Sequence, residues 1–459
     1  MSDVHVAVLA AGKGTRMKSA RPKVLHRVGG LPMIDYVLAA ASTLAPRRLV
    51  VVIGHEAAAV RQALASRPGL SFVVQEPQLG TAHALLAAES AFEGASGTLL
   101  LLSGDVPLLS PDTLRQLVDR HRSADAAATV LTTVVDQPYG YGRVVRTGRQ
   151  ITRIVEERDA DPTEKAIREI NAGIYAFALD GLFDALRSVA SGNAQRERYL
   201  PDLVAIYRRE GRGVETVTET NPDSVRGINS RVELADASRI LRARKNAELM
   251  ANGVTLEDPA TAYIGASVQI GCDTIVHPGV TIAGRTVIGE SCEIHSGVFI
   301  ADSRIGNGVV VHDHSHIVES AIEDGAAVGP FARLRPKTEL RTGARIGNFV
   351  EVKGSVVGAG SKALHLAYLG DTTVGERVNI GAGTITCNYD GERKHTTVIE
   401  DGAFIGTDSQ LVAPVTIGKG AYVGTGTTVR TDVPPGALAV SAGKQRNIED
   451  WVARKKGRR

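Results

Sequence analysis

From Ile264 onward the chain carries an aliphatic residue at every sixth position: Ile264, Ile270, Val276, Ile282, Ile288, Ile294 and Ile300. After a slip the rhythm resumes at Ile322, Val328, Leu334, Leu340, Ile346 and Val352, and again at Ile405, Leu411, Ile417, Val423 and Val429. Gly often follows, as in Ile264-Gly265, Ile288-Gly289, Ile346-Gly347 and Ile417-Gly418. A half-buried strand repeats every second residue and a helix roughly every 3.6, so neither produces this pattern. A fixed hexapeptide period predicts a parallel β-helix, in which each hexad makes one face of a coil and the aliphatic side chain points inward. Small corner residues let the backbone turn without a Cβ clash. The composition agrees, since 49 Gly and only 4% aromatics beside 43% hydrophobic residues suit regular packing of small side chains. The grid breaks at about residues 361–373 and 385–398, and insertions in a solenoid map to surface loops, frequently on the binding face.

The remaining sequence needs its own core, because single cores stop growing near ~250–300 residues and the chain has 459. Residues 4–10, 48–53, 70–75 and 98–102 read as buried strands, and residues 34–44, 57–65 and 112–122 as helices between them. That alternation predicts a mostly parallel sheet covered by helices on both faces, with ligands at the carboxyl ends of its strands. Ser230 and Glu233 have the spacing of a capping box, and Asn252-Gly253 is a plausible stop, so one helix is expected between them. The expected organisation is an α/β domain over 1–228, a linker helix over 229–252 and the hexapeptide domain over 253–459. Lys and Arg total 53 against 50 for Asp and Glu, which implies no polyanionic partner. The basic run Arg454-Lys455-Lys456 with Arg458-Arg459 lacks an aromatic platform, so no nucleic-acid partner is expected. Cys272, Cys292 and Cys387 are isolated thiols that suggest neither a disulfide framework nor a cysteine zinc site. The apolar run 4–11 is too short to span a membrane, and a reducing cytoplasm is the expected location.

After the first expected strand comes Leu9-Ala10-Ala11-Gly12-Lys13-Gly14-Thr15-Arg16-Met17. It has G-x-G, but Met17 replaces the third glycine of a dinucleotide fingerprint, and Walker spacing is absent. The loop nonetheless offers backbone N–H groups with Lys13, Arg16 and, after Pro22, Lys23. Three cations suit charge developing on phosphorus during a transfer. Asp105 ends an apolar strand in Ser103-Gly104-Asp105, where one carboxylate is enough for Mg2+; taken alone it reads equally well as a turn aspartate. G-x-G-T-x-M followed by P-K resembles the sugar-nucleotide pyrophosphorylases. Gln75, Gly80-Thr81, Tyr141-Gly142-Arg143, Glu156, Asn171, Asn229, His365, Tyr368 and the run Asn379 to Asp390 then follow in order. Together they resemble the bacterial bifunctional N-acetylglucosamine-1-phosphate uridyltransferase and glucosamine-1-phosphate acetyltransferase family over nearly the whole chain.

That resemblance implies two activities: acetyl transfer from acetyl-CoA to glucosamine-1-phosphate, then uridylyl transfer from UTP to the product, with release of pyrophosphate. It implies that residues 9–12 (Leu9, Ala10, Ala11, Gly12), Lys23, Gln75, Gly80, Thr81 and 103–105 (Ser103, Gly104, Asp105) hold the nucleotide. Gly142, Glu156 and Asn171 would hold the acetamido sugar, with Asp105 and Asn229 on Mg2+ and Arg16 and Lys23 as catalytic cations. A lone histidine is usually an ordinary residue, but His365 has the cations Arg335, Lys353 and Lys394 for company, and an imidazole suits deprotonation of an amine. The family makes His365 the base and gives Arg335, Lys353, Tyr368, Asn379 and Lys394 to the sugar phosphate. Ala382, Asn388, Tyr389, Thr407 and Thr425 would line the acetyl-CoA groove. The family also implies a left-handed coil and a homotrimer. The sequence departs from it at Ser103, Ala172, Thr407 and Ala442, the last standing where relatives often carry an Arg toward CoA; Lys444 or Arg446 could substitute. A coil that only trimerises, or an enzyme with another base, are the competing readings.

Overall fold

A computed structural model describes residues 3–441, 443, 445 and 447–456. The chain forms two compact units that divide between Leu241 and Arg242. In the first, nine strands build a mixed sheet: β1 (Val4–Ala10), β2 (Arg48–Ile53), β3 (Leu70–Val74), β4 (Thr98–Ser103), β5 (Ala128–Val134), β6 (Arg143–Thr147), β7 (Gln150–Val155), β8 (Glu169–Ala178) and β9 (Val214–Glu219). Their order is β9-β5-β8-β4-β1-β2-β3, and β6 joins β8 and β7 beside it. β1 lies parallel to both β2 and β4, with Val8 opposite Val51 and Leu102. β8 runs antiparallel to β4 and β5, which makes the sheet mixed.

β1 is apolar apart from the buried His5, because both faces are covered. Val4, Val6, Val8 and Ala10 pack into one helical layer, and Ala7 into the other. A strand with no solvated face can present polar groups only where it ends. β1, β2, β3 and β4 are mutually parallel and end at one edge, so the loops that follow them gather there. The helices expected over 34–44, 57–65 and 112–122 are Met33–Ser42, Ala57–Leu64 and Pro111–Ser123.

The capping box forms as the sequence predicts. Glu233 Oε2 accepts from Ser230 N at 2.9 Å, and Glu233 N donates to Ser230 Oγ at 3.2 Å. The helix it starts, Arg231–Ala251, ends where Gly253 adopts φ +90°. Segment 229–252 is packed at both ends. Leu234, Ile240 and Leu241 lie against a cluster containing Val28, Met33 and Ile228, while Asn246 Nδ2 donates to the carbonyls of Pro259 (2.8 Å) and Ala262 (3.1 Å).

The second unit is a parallel β-helix of three sheets with 11, 10 and 9 strands among the described residues. Its turns stack in register: Leu256 pairs with Val276, Val276 with Ile294, Ile294 with Val311 and Val311 with Val328. One continuous apolar cluster runs from Leu249 to Val433. The slip after Ile300 has a local cause. Steps from Ile300 to Ile305 and from Ile317 to Ile322 are one residue short, and Ser303 and Ser320 close those corners; Ser320 N donates to Ser303 Oγ at 3.1 Å.

The expected insertion at 361–373 is absent. Ala363, Leu369 and Val374 pair in register with Ile346, Val352 and Val357. The grid only looks broken there because a small Ala fills the inward position and the following corner is short. The excursion at 385–398 is real: a bridge between Tyr389 and Lys394 closes a loop that leaves the coil after Cys387 and returns at Thr397. Replacing Ile346, 1% exposed in this stack, by Ala should cost about 2–5 kcal/mol. Calorimetry should show that loss in unfolding of the coil.

Candidate active sites

Two cavities meet at the carboxyl edge of the first unit's sheet. The larger, about 920 Å3, is lined by Leu9, Ala10, Ala11, Gly12, Lys13, Lys23, Gln75, Gly80 and Thr81. The smaller, about 270 Å3, takes its walls from Arg16, Gly142, Glu156, Asn171 and Asn229. Leu9, Thr81, Ser103 and Asp105 line both. Gly104 contributes through its backbone, donating to Leu9 O at 2.9 Å.

At the junction a cation is already held. Lys23 Nζ donates to the Asp105 carboxylate and, at 2.6 Å, to Asn229 Oδ1, which also accepts from Arg16 Nη2 at 2.9 Å. Ser103 Oγ donates to Asp105 Oδ1 at 2.5 Å. Asn229 is fixed by the helix cap, since its N–H donates to Glu233 Oε2 at 2.5 Å. Gly14 must be glycine: its φ is +60°, and a Cβ would lie 2.6 Å from Lys23 Cβ. Gly80, at φ +101°, lets the chain pass the Arg198 backbone, where a Cβ would stand 2.6 Å from its carbonyl oxygen. Gln75 Nε2 ties the same turn by donating to Gly80 O at 3.0 Å.

In the smaller cavity Asn171 N donates to Gly142 O at 2.9 Å, and Asn171 Oδ1 accepts from Gly173 N at 3.0 Å. Two contributors escape the sequence reading. Arg143 is fully buried and braces the turn before it, donating to Tyr141 O and, at 2.5 Å, to Glu157 Oε2. Tyr175 lines the cavity with a buried hydroxyl that makes no hydrogen bond within the protein. Tyr175 has no motif of its own, since a lone Tyr in a strand is ordinary, and Arg143, though part of the Tyr141-Gly142-Arg143 run, carries no sequence sign of its bracing role.

In the coil, His365 ends strand Lys362–His365, one turn above Asn348. His365 Nδ1 lies 2.8 Å from Asn348 Oδ1. An amide oxygen only accepts, so Nδ1 carries the hydrogen and Nε2 is left with its lone pair. Nothing in the sequence marked Asn348, because the partner sits a full turn away.

The neighbouring strands carry the cations at their far ends. Arg335 Nη1 donates to Glu351 Oε1 at 2.8 Å, and Lys353 Nζ lies 3.3 Å from Asp371 Oδ2. Asn388 Nδ2 donates to the same carboxylate oxygen. The Lys353 ammonium beside Lys394, with Arg335 adding, holds the Lys394 pKa below its ordinary value. Three cations that crowd one another so mark a place for an anion. Tyr368 stands between, its ring over Gly370, where a Cβ would come 2.4 Å from the Tyr368 Oη. Asn379 follows one turn on, in register with Lys362 and Phe404.

Ala382, Thr407 and Thr425 follow the corner glycines Gly381, Gly406 and Gly424 on successive turns, and Thr407 Oγ1 reaches Thr425 Oγ1 at 3.4 Å. Tyr389 begins the excursion that carries Lys394. Ala442, Lys444, Arg446, Arg458 and Arg459 lie outside the described residues.

Two family models match: the MobA-like NTP transferase domain over residues 6–173, and the bacterial transferase hexapeptide (six repeats) over 267–302 and 396–431. Among curated relatives, the bifunctional protein GlmU of Trichlorobacter lovleyi is 48% identical over 450 residues, covering 98% of each chain. That of Heliobacterium modesticaldum is 50% identical, covering 98% of this chain and 97% of its own. That of Mycobacterium tuberculosis is 48% identical over 99% of this chain and 93% of its own.

Glu156 is the perturbed carboxylate of the smaller cavity. Burial, with Asp159 and Asp202 adding, pushes its carboxyl up to about 6 from 4.5. A raised acid is neutral in both folded and unfolded chains below 4.5, and stability is lost as pH rises from there through 6. Its shift corresponds to about 2 kcal/mol. Glu156→Gln should therefore match the parent's pH dependence below pH 4.5 and gain about 2 kcal/mol relative to it by pH 7. Denaturant unfolding at both pH values checks this.

Proposed function

Because the chain belongs to the family of the bifunctional protein GlmU, we infer that it is a bifunctional transferase making UDP-N-acetylglucosamine. Its coil transfers the acetyl group of acetyl-CoA to glucosamine-1-phosphate. Its α/β unit then joins the N-acetylated product to UTP and releases pyrophosphate. The observation that carries this reading is the pair of cavities sharing Asp105: one, of about 920 Å3, has room for a nucleotide, and the other is small and lined by Glu156, Asn171 and Gly142.

In the uridylyl step the sugar phosphate attacks the α-phosphorus of UTP, so no protein nucleophile is needed. Catalysis consists of alignment and charge neutralisation. We assign the nucleotide to the larger cavity, the acetamido sugar to the smaller, and charge compensation at their junction to Arg16 and Lys23. Asp105 and Asn229 would hold Mg2+. Their fit is supported by the ammonium of Lys23, which both oxygens already bind as a stand-in cation. When bound, Mg2+ supplies positive charge to the phosphate oxygens. Lys23, which lies beside both residues, would add its own charge to the same phosphates.

In the acetyl step the amine of glucosamine-1-phosphate must lose a proton as it attacks the thioester. We assign that proton to His365 Nε2, the atom that Asn348 leaves free. The N–C bond forms, the C–S bond breaks, and coenzyme A leaves as its thiol. Arg335, Lys353 and Lys394 neutralise the sugar phosphate, Tyr368 and Asn379 flank the sugar, and Ala382, Asn388, Tyr389, Thr407 and Thr425 line the coenzyme groove. The parallel coil of hexapeptide repeats supports oligomerisation, which we propose is trimeric. No described helix is long and apolar enough to cross a membrane. The three free thiols support a cytoplasmic enzyme.

Arg16→Ala should lower uridylyl transfer about 10²- to 10³-fold while acetyl transfer persists. Omission assays with separate radiolabelled donors read the two steps apart. His365→Ala should do the reverse, lowering acetyl transfer about 10²- to 10⁴-fold, and Asn348→Ala should lower its kcat with KM unmoved. Loss of both activities in either folded variant at position 16 or 365 would contradict the division. Sedimentation should give about three times the 48.4 kDa chain mass.

A further inference from the structure

Away from both sites, the first turns of the coil place imidazoles and carboxylates in one column. The position after the inward aliphatic residue holds Glu257, His277, His295 and His312 on successive turns, and Gly from Gly329 to Gly347. The rings of His277 and His295 stack 4.8 Å apart, the spacing of neighbouring strands. Glu293 precedes Ile294 on the same strand, and its Oε1 lies 3.3 Å from Nε2 of both His277 and His295. The side chains are half-buried, with the imidazoles 22% and 25% exposed, so an ion can enter from solvent.

At 3.3 Å these contacts lie at the long end of hydrogen bonding. They match the edge of a coordination tetrahedron, about 3.3 Å for metal–ligand bonds near 2.0–2.1 Å. The three ligand atoms all lie within 4.8 Å of one another.

The outer partners follow the same logic. His277 Nδ1 lies 2.9 Å from Glu257 Oε2, and His295 Nδ1 lies 3.5 Å from Asp313 Oδ2. The 2.9 Å carboxylate at His277 keeps the hydrogen on Nδ1 and turns the Nε2 lone pair inward, the arrangement that usually backs a metal-bound histidine, and Asp313 stands on the corresponding side of His295. Two imidazole nitrogens and a carboxylate oxygen then face one centre, an arrangement that a bound cation satisfies. Two imidazoles with one carboxylate suit a borderline dication such as Zn2+ better than Mg2+ or Ca2+, which prefer oxygen.

We propose that His277, His295 and Glu293 form a transition-metal site of the zinc class on the early turns of the coil, with Glu257 and Asp313 orienting the imidazoles and water completing the shell. The site joins two successive turns and braces the solenoid where its stack begins. It takes no part in either transfer.

The test uses the full chain, stripped of metal and held in excess Mg2+ so that oxygen-rich sites are filled. Titration with Zn2+ by calorimetry, and with Co2+ by its visible absorption, should show one tight equivalent per chain with tetrahedral Co2+ intensity. His277→Gln combined with His295→Gln should abolish that equivalent. Glu257→Gln, which removes no ligand, should weaken it about 10- to 100-fold. Zn2+ should raise the melting temperature of the parent and not of the double variant, and both transfer activities should match the parent's. Failure of the parent to bind Zn2+, or equal uptake by parent and double variant, overturns the proposal. If the double variant does not fold, the Glu257→Gln shift decides alone, and unchanged affinity there overturns it.

Discussion

Everything in the coil depends on one constraint: successive turns pair backbone to backbone in strict parallel register. Each inward aliphatic residue sits on the one below, as Val276 does on Leu256 and Ile294 on Val276. Register fixes the outward positions as firmly as the inward ones. A residue therefore acquires neighbours seventeen or eighteen positions away without any local motif, as His365 does with Asn348. The rigid stack makes the outer face a board on which columns of side chains can be specialised. One column carries glycine and hydroxyl residues, another cations, a third imidazoles. Because the scaffold's stability lies in the buried column, outward substitutions change chemistry at little cost to the fold.

The α/β unit solves the placement problem differently. Its strands are buried on both faces, so chemistry is confined to where β1 and β4 end. What those loops lack is an anchor, and the helix cap at residue 230 supplies one. Glu233 accepts from the backbone N–H groups of both Asn229 and Ser230. The same carboxylate that starts the helix thereby sets the height of the Asn229 amide opposite Asp105. A feature read from the sequence as a helix signal is also a positioning device for the junction of the two cavities.

How much of this was legible follows from the range over which each signal acts. The six-residue period exposed the coil because every turn repeats it, and the phosphate loop was readable because Gly14, Arg16 and Lys23 are near neighbours in sequence. Signals that act across turns or sheets were not. Asp371, which gathers Lys353 and Asn388, is one aspartate among many until the strands are paired. Arg143 and Tyr175 look like ordinary strand residues, and only burial shows that one braces a turn and the other offers an unspent hydroxyl. The misread insertion at 361–373 has the same origin: with Ala363 in the inward place the period fades, though the pairing does not. His277 and His295, eighteen residues apart, each follow a grid position, where a search for aliphatic periodicity passes over them.

Charge is arranged oppositely in the two sites, and the difference follows from their chemistry. At Asp105 the structure pairs a cation with acceptors, so a triphosphate at the proposed site would exchange partners with groups already satisfied. The pairing keeps Lys23 aligned in the free protein, where its side chain is only 12% exposed. On the coil, Lys353 and Lys394 stand close enough to lower one of them, and Asp371 compensates only part of the charge. That arrangement favours an anion beside them, which the phosphate of the proposed sugar substrate would supply. The parallel register fixes Lys353 opposite Gly370, next to Asp371, while Lys394 reaches the same place from the excursion.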